Sequence, residues 1–211
     1  FAQKGIEGYE PEEEDTKGFN TIDLWIMGRL NQVIREFTDA MEGYEYHAAI
    51  RAMHNFFWHD FCDNYLEYVK HRVYAEQEGE GKRAAQYCLH NVLRNTVLLL
   101  APLTPHISDE LNLNIFHKGD ESSYQSVHNS EWPSAGEVDE ASIAKMETFN
   151  NVVSEIRQHK ARNKLPQNAE LEKLRLTLPE KMDDALVAEL MVISKIKDVE
   201  LLEGEFNVSV L

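Results

Sequence analysis

Between residues 21 and 164 the hydrophobic positions recur at three- and four-residue steps, and after Pro166 the spacing becomes alternating. The first pattern marks helices with one buried face, the second a half-buried strand. Ile22, Ile26, Leu30, Val33, Phe37 and Met41 define a first helix, which Gly43 is placed to stop. A second, long helix carries Tyr46, Ile50, Met53, Phe57, Phe61, Tyr65 and Tyr68. Phe56, Trp58, Cys62 and Val69 widen that stripe, which predicts a helix inside a bundle. Residues 78–81, Glu-Gly-Glu-Gly, end it. Ala85, Leu89, Val92, Leu93, Thr96, Leu99 and Leu100 mark a third helix, closed by Pro102. Thr104 and Pro105 read as the N-cap and first residue of a short fourth helix ending near Phe116, with Asp109 and Glu110 near its positive dipole end. A polar loop over 117–138 leads to a fifth helix, from about 139 to 164, on Ile143, Met146, Phe149, Val153 and Ile156.

The two ends read differently. Gly5, Gly8, Pro11 and Gly18 punctuate the first twenty residues, which predicts a loop whose acidic run is solvated. Beyond Pro166, Leu171, Leu174, Leu176 and Leu178 predict a strand, 180–196 a helix, and 199–202 and 206–211 two more strands around a turn at Gly204. The expected fold is mainly α: an antiparallel helical bundle over 1–165, then a small α/β appendage over 166–211.

Composition narrows the function. With 43% hydrophobic residues in 211, the chain can build a sizeable core. No apolar run approaches the ~18–20 residues that span a bilayer, so no membrane partner is expected. The opening Phe-Ala-Gln-Lys lacks a Met and a signal-peptide pattern, which predicts a piece of a longer soluble protein. Cys62 and Cys88, without a CxxC pair, fit buried thiols in a reducing, cytoplasmic setting. A net charge of −16 opposes nucleic-acid binding, because phosphate neutralisation needs cations. The charge is uneven, however. Acids crowd 1–20, whereas 157–175 holds Arg157, Lys160, Arg162, Lys164, Lys173 and Arg175 against Glu170 and Glu172.

Residues 58–70 read Trp-His-Asp-Phe-Cys-Asp-Asn-Tyr-Leu-Glu-Tyr-Val-Lys. They resemble the W-x-D-F-C-D-x-Y-[IL]-E-x-x-K segment of valyl-tRNA synthetases. Residues 99–111 (LLAPLTPHISDEL) are similar to the L-L-A-P-F-x-P-[FH]-I-[ST]-E-E-[LI]-W segment of the valyl, isoleucyl and leucyl enzymes. Trp132-Pro133 matches the W-P pair, and 23–26 (DLWI) the D-x-W-I-L that opens a bundle helix. The matches keep family order over about 20–165. Two positions depart: Leu103 replaces Phe, and Asn112 stands where a large apolar residue is usual, which places a polar group in the core of the fourth helix.

The resemblance implies a class Ia anticodon-binding bundle that packs on the anticodon stem-loop of valine tRNA, with the synthetase catalytic domain as its partner in cis. ATP and Mg belong to the catalytic half. The HIGH and KMSKS motifs are missing from this sequence, so no catalytic residue, cofactor or metal is assigned to it. A bundle that only braces the catalytic core, the same domain of an isoleucyl or leucyl enzyme, and an unrelated protein-binding scaffold are the alternatives.

For RNA contact the sequence points to Arg157, Lys160 and Lys164, which helical spacing puts on one face, with Arg162 and His159 beside it. Tyr9, in a Gly-flanked loop, is a candidate for stacking on a base. Trp58, Phe61 and Tyr65 read as core, Glu67 and Lys70 as a helix ion pair, and His59 with Asp63 as a spacing without further metal ligands.

Overall fold

A short helix, α1 (Ala2–Gly5), and a 3-10 turn, Glu13–Gly18, precede the first long helix, where the sequence predicts only loop. The computed structural model describes residues 1–211 apart from 118, 120, 121 and 123. The acidic run of the turn is not wholly solvated: Asp15 is buried. It accepts from the Tyr9 hydroxyl and from Nε and Nη2 of Arg83, a residue far along the chain. Burial alone would raise its pKa. The Arg83 and Tyr9 donors and the Glu12 amide outweigh burial and hold it below the ordinary carboxylate value.

Asn20 then caps α2 (Thr21–Glu42), its side chain accepting from the Ile22 and Asp23 amides while Asp23 reaches back to the Asn20 amide. Ile22, Ile26, Leu30, Val33 and Phe37 are buried, as the periodicity requires. The long second helix is three segments in one run: α3 (Tyr46–Asn55), a π-helical stretch (Phe56–Tyr65) and α4 (Leu66–Val73). Next come α5 (Glu80–Leu100) and α6 (Pro105–Phe116). Thr104 holds the N-cap position of α6, but its hydroxyl donates to the Leu100 carbonyl instead of capping. Asp109, expected to serve the helix dipole, accepts from Tyr124, Ser126 and the Val127 amide, the last two at 2.8 and 2.9 Å, and so pins the following loop.

Asp23 ties the bundle together. It is fully buried and accepts from Tyr65 Oη at 2.9 Å and from both Arg72 nitrogens at 2.7 and 2.9 Å. Arg72 is the bidentate partner that makes a buried carboxylate tolerable. The polar residue expected in the α6 core is also satisfied. Asn112 is 1% exposed, accepts from Arg94 and donates to the Gln125 carbonyl at 3.1 Å.

Helix α7 (Glu140–Arg162) is followed by β1 (Leu171–Leu178), α8 (Asp184–Ser194), β2 (Ile196–Glu203) and β3 (Asn207–Val210). The sheet order is β2-β1-β3, with β2 parallel and β3 antiparallel to β1. The appended strands thus surround the most hydrophobic one, whose Leu171, Leu174, Leu176 and Leu178 are buried.

The chain falls into two compact units, Phe1–Glu140 and Ala141–Leu211. This division lies before α7, not after it at 165/166 as the change of periodicity implies. The reason is side-chain chemistry: Lys145 of α7 pairs with Asp183 at 3.0 Å, and Lys160 donates to the Ser194 carbonyl. Among the described residues no helix is long and apolar enough to cross a membrane.

Candidate nucleic-acid interface

Steps of three and four put Arg157, Lys160 and Lys164 on one helical face, and the structure separates them. Lys160 is 1% exposed. Its Nζ donates to the carbonyls of Gln167 and Ser194, both at 2.9 Å, so the ammonium crosslinks the end of α7 to the loop and to α8. Burial, with help from nearby Lys195, lowers its pKa. Lys160 therefore leaves the basic strip. Helix α7 stops at Arg162, and Lys164 sits beyond it in the left-handed region at φ 55°. Lys164 is exposed, Arg157 half-buried. Arg162 is exposed at the helix end and reaches Gln158 Oε1 at 3.0 Å and Glu155 at 3.4 Å.

The rest of the basic segment is matched by acids. Lys173 lies 3.3 Å from both Asp198 and Glu200, and Arg175 pairs with the same Glu200 across the β1–β2 ladder. Tyr9 is not a free loop aromatic either. Its hydroxyl is spent on Asp15, Arg83 lies 5.4 Å from its ring centroid, and His90 packs on its edge. Burial, then the Asp15 carboxylate, raises its pKa.

The aromatic-rich helix divides its side chains. Phe61 and Tyr65 are buried, their rings stacked at 6.2 Å. Trp58, expected in the core with them, is 52% exposed. Asp60 accepts from Arg29 Nε at 2.8 Å; burial nevertheless keeps its pKa above the usual carboxylate value. Glu67 pairs with Lys70. His59 Nδ1 lies 3.3 Å from Asp63. Among the described residues no group of three or more His, Cys, Asp or Glu is arranged to hold a metal.

Sequence spacing misses the outward face of this run. Tyr46, His47, Ile50, Arg51, His54, Trp58 and His59 are all exposed. The His54 ring lies 6.4 Å from Trp58 and 6.2 Å from His59. The second contact spans five residues and meets where the backbone enters π winding, whose hydrogen bonds run from i to i+5. A signal was present: residues 46–59 contain no Asp or Glu in a chain with 37 of them.

Comparison with known proteins follows the same pieces. Residues 23–175 match the family model described as the anticodon-binding domain of tRNA ligase. The valine–tRNA ligase of Pyrococcus abyssi (strain GE5 / Orsay) is 34% identical over 209 residues, 97% of this chain and 23% of that protein. That of Thermococcus kodakarensis is 31% identical over 209 residues, again 97% and 23%. That of Methanococcus maripaludis is 34% identical over 197 residues, 89% and 21%. The chain thus spans under a quarter of the length of these relatives. The family match takes in α2 through the first half of β1, which is most of the chain. This chain belongs to the anticodon-binding domain family of tRNA ligases.

Proposed function

We propose that this chain binds the anticodon stem-loop of valine tRNA as part of a cytoplasmic valine–tRNA ligase. The observation that carries the reading is the ordered match of residues 23–175 to the anticodon-binding domain family, joined to valine-specific relatives at both motif and whole-chain level. The chemistry of ligation, with ATP and Mg, is assigned to the catalytic domain in cis. Within the second unit, the exposed cations at the end of α7, Arg162 and Lys164, together with Arg157, are the proposed phosphate contacts. Lys160 and Tyr9 are set aside because their polar atoms already have partners within the protein.

The test is a titration of the chain with a valine tRNA transcript and with the same transcript carrying an altered anticodon. The native anticodon is expected to bind more tightly at low salt. Equal affinity for the two would overturn anticodon recognition.

A further inference from the structure

Residues 46–59 form an outward helix face with an unusual composition for this protein. The chain carries −16 overall, yet this stretch has no acid and presents Arg51, His47, His54, His59, Tyr46 and Trp58 to solvent. Residues 81–108, within and beyond α5, also lack acids, but there the cations are taken: Lys82 pairs with Glu78, Arg83 with Asp15, and Arg94 donates to Asn112. Arg51 has no ion-pair partner among the described residues.

The rings are arranged as a platform. Tyr46, Ile50, His54 and Trp58 follow one another at four-residue steps, so they line one side of α3 as it runs into the π stretch. His54 sits between Trp58 and His59, inclined to them by 52° and 77°. Tyr44, 79% exposed, extends the row by an edge contact with Tyr46. Asp60, which accepts from Arg29, and Asp63, against His59, bound it on the C-terminal side, and Glu45 on the N-terminal side. Large exposed aromatics on a helix are costly to hydrate, and here they lie where the winding departs from α, a departure that recurs at functional sites.

We propose that this face is a stacking surface for unpaired nucleotides, with Trp58 and His54 taking bases and Arg51 the adjoining phosphate. It rests on the RNA-binding reading given above and adds to it a single-stranded ligand and the residues that take it. The occupant is argued from charge and shape together. One arginine among flat rings, with no carboxylate on the same stretch, suits a flexible polyanion whose bases are free to stack. A duplex would offer phosphates and no accessible base face. A protein partner would find the aromatic rings but gain nothing from the exclusion of carboxylates.

The experiment uses the whole chain and three probes: the valine tRNA transcript, a hexauridine oligonucleotide and a blunt RNA duplex. Trp58→Ala is expected to weaken transcript and hexauridine binding roughly tenfold, with the duplex unaffected. Trp58→Phe keeps a flat ring and should retain most of the affinity. Arg51→Ala should lower the salt slope by about one. Because Trp58 and Arg51 are exposed, circular dichroism spectra should match wild type. Wild-type affinity for both the transcript and hexauridine in Trp58→Ala and Arg51→Ala overturns the proposal. Anticodon discrimination that persists in those variants would leave the anticodon reading standing while this one falls. Loss of hexauridine binding in a protein that never discriminated anticodons would do the reverse.

Discussion

Lys160 and Arg162 stand two residues apart near the end of α7 and meet opposite surroundings. The arginine is exposed, whereas the lysine is buried with two backbone carbonyls. A buried ammonium costs solvation, and what holds this one in place is the pair of acceptors. Replacing Lys160 by Met keeps the stem and removes both bonds. The carbonyls of Gln167 and Ser194 then lack their partner. We expect Lys160→Met to destabilise the second unit by about 1–3 kcal/mol, read as a lower urea midpoint. The slope of RNA affinity against salt should stay unchanged. An unaltered midpoint with weakened RNA binding would return Lys160 to the RNA surface. The sequence could not make this distinction. Helical spacing tells which side chains share a face, but the elements that bury this one, the loop at 167 and the end of α8, come later in the chain.

At the scale of elements, periodicity was a good guide wherever one α-helical face meets the core. The α2 and α5 helices and β1 lie where their stripes predicted them, and α6 where Thr104 and Pro105 signalled its start. It failed where the winding or the partner is not local. The π stretch breaks the α-helical register, so Trp58 turns outward while Phe61 and Tyr65 stay inside. The 3-10 turn Glu13–Gly18 reads as a solvated acidic loop because Asp15 finds Arg83 only in the folded chain. Gly18 makes that docking possible. A Cβ there would lie 2.5 Å from the Glu80 carbonyl oxygen and 2.8 Å from its carbon, both backbone atoms that cannot swing aside. Gly18→Ala should therefore push the turn off the start of α5 and destabilise the first unit by about 1–3 kcal/mol, measured as a fall in thermal or urea midpoint. If glycine served there only as a flexible joint, the same change would raise stability instead, by about 0.4–1 kcal/mol. The sign decides between them.

On the scale of the whole molecule, a protein of charge −16 proposed to bind RNA must do so with few cations. Much of its positive charge is engaged by its own acids: Lys17 with Glu14, Arg29 with Asp60, Arg72 with Asp23, Arg83 with Asp15, Lys145 with Asp183, and Lys197 with Glu172. The exposed pairs among these add little stability, yet each keeps a carboxylate where a phosphate would approach. The cations proposed for RNA are Arg51 on α3 in the first unit and, in the second, Arg157, Arg162 and Lys164 around the end of α7. Affinity should then depend on salt less steeply than for a basic nucleic-acid binder. Each neutralised phosphate contributes a slope of about −0.7 to −0.9, so a plot of log affinity against log salt should fall with a slope of about −2 to −4. Raising salt from about 50 to 200 mM would then cost roughly fifty-fold in affinity. A slope steeper than about −6 would require the acid-bound lysines and arginines to leave their partners for the RNA, and the division of the surface drawn above would fail. Specificity in such a protein has to come from contacts other than charge, and for unpaired bases those are rings. The shallow salt slope and the loss of affinity in Trp58→Ala are thus two consequences of one composition: an acidic protein that meets RNA with few cations needs aromatic faces to hold it.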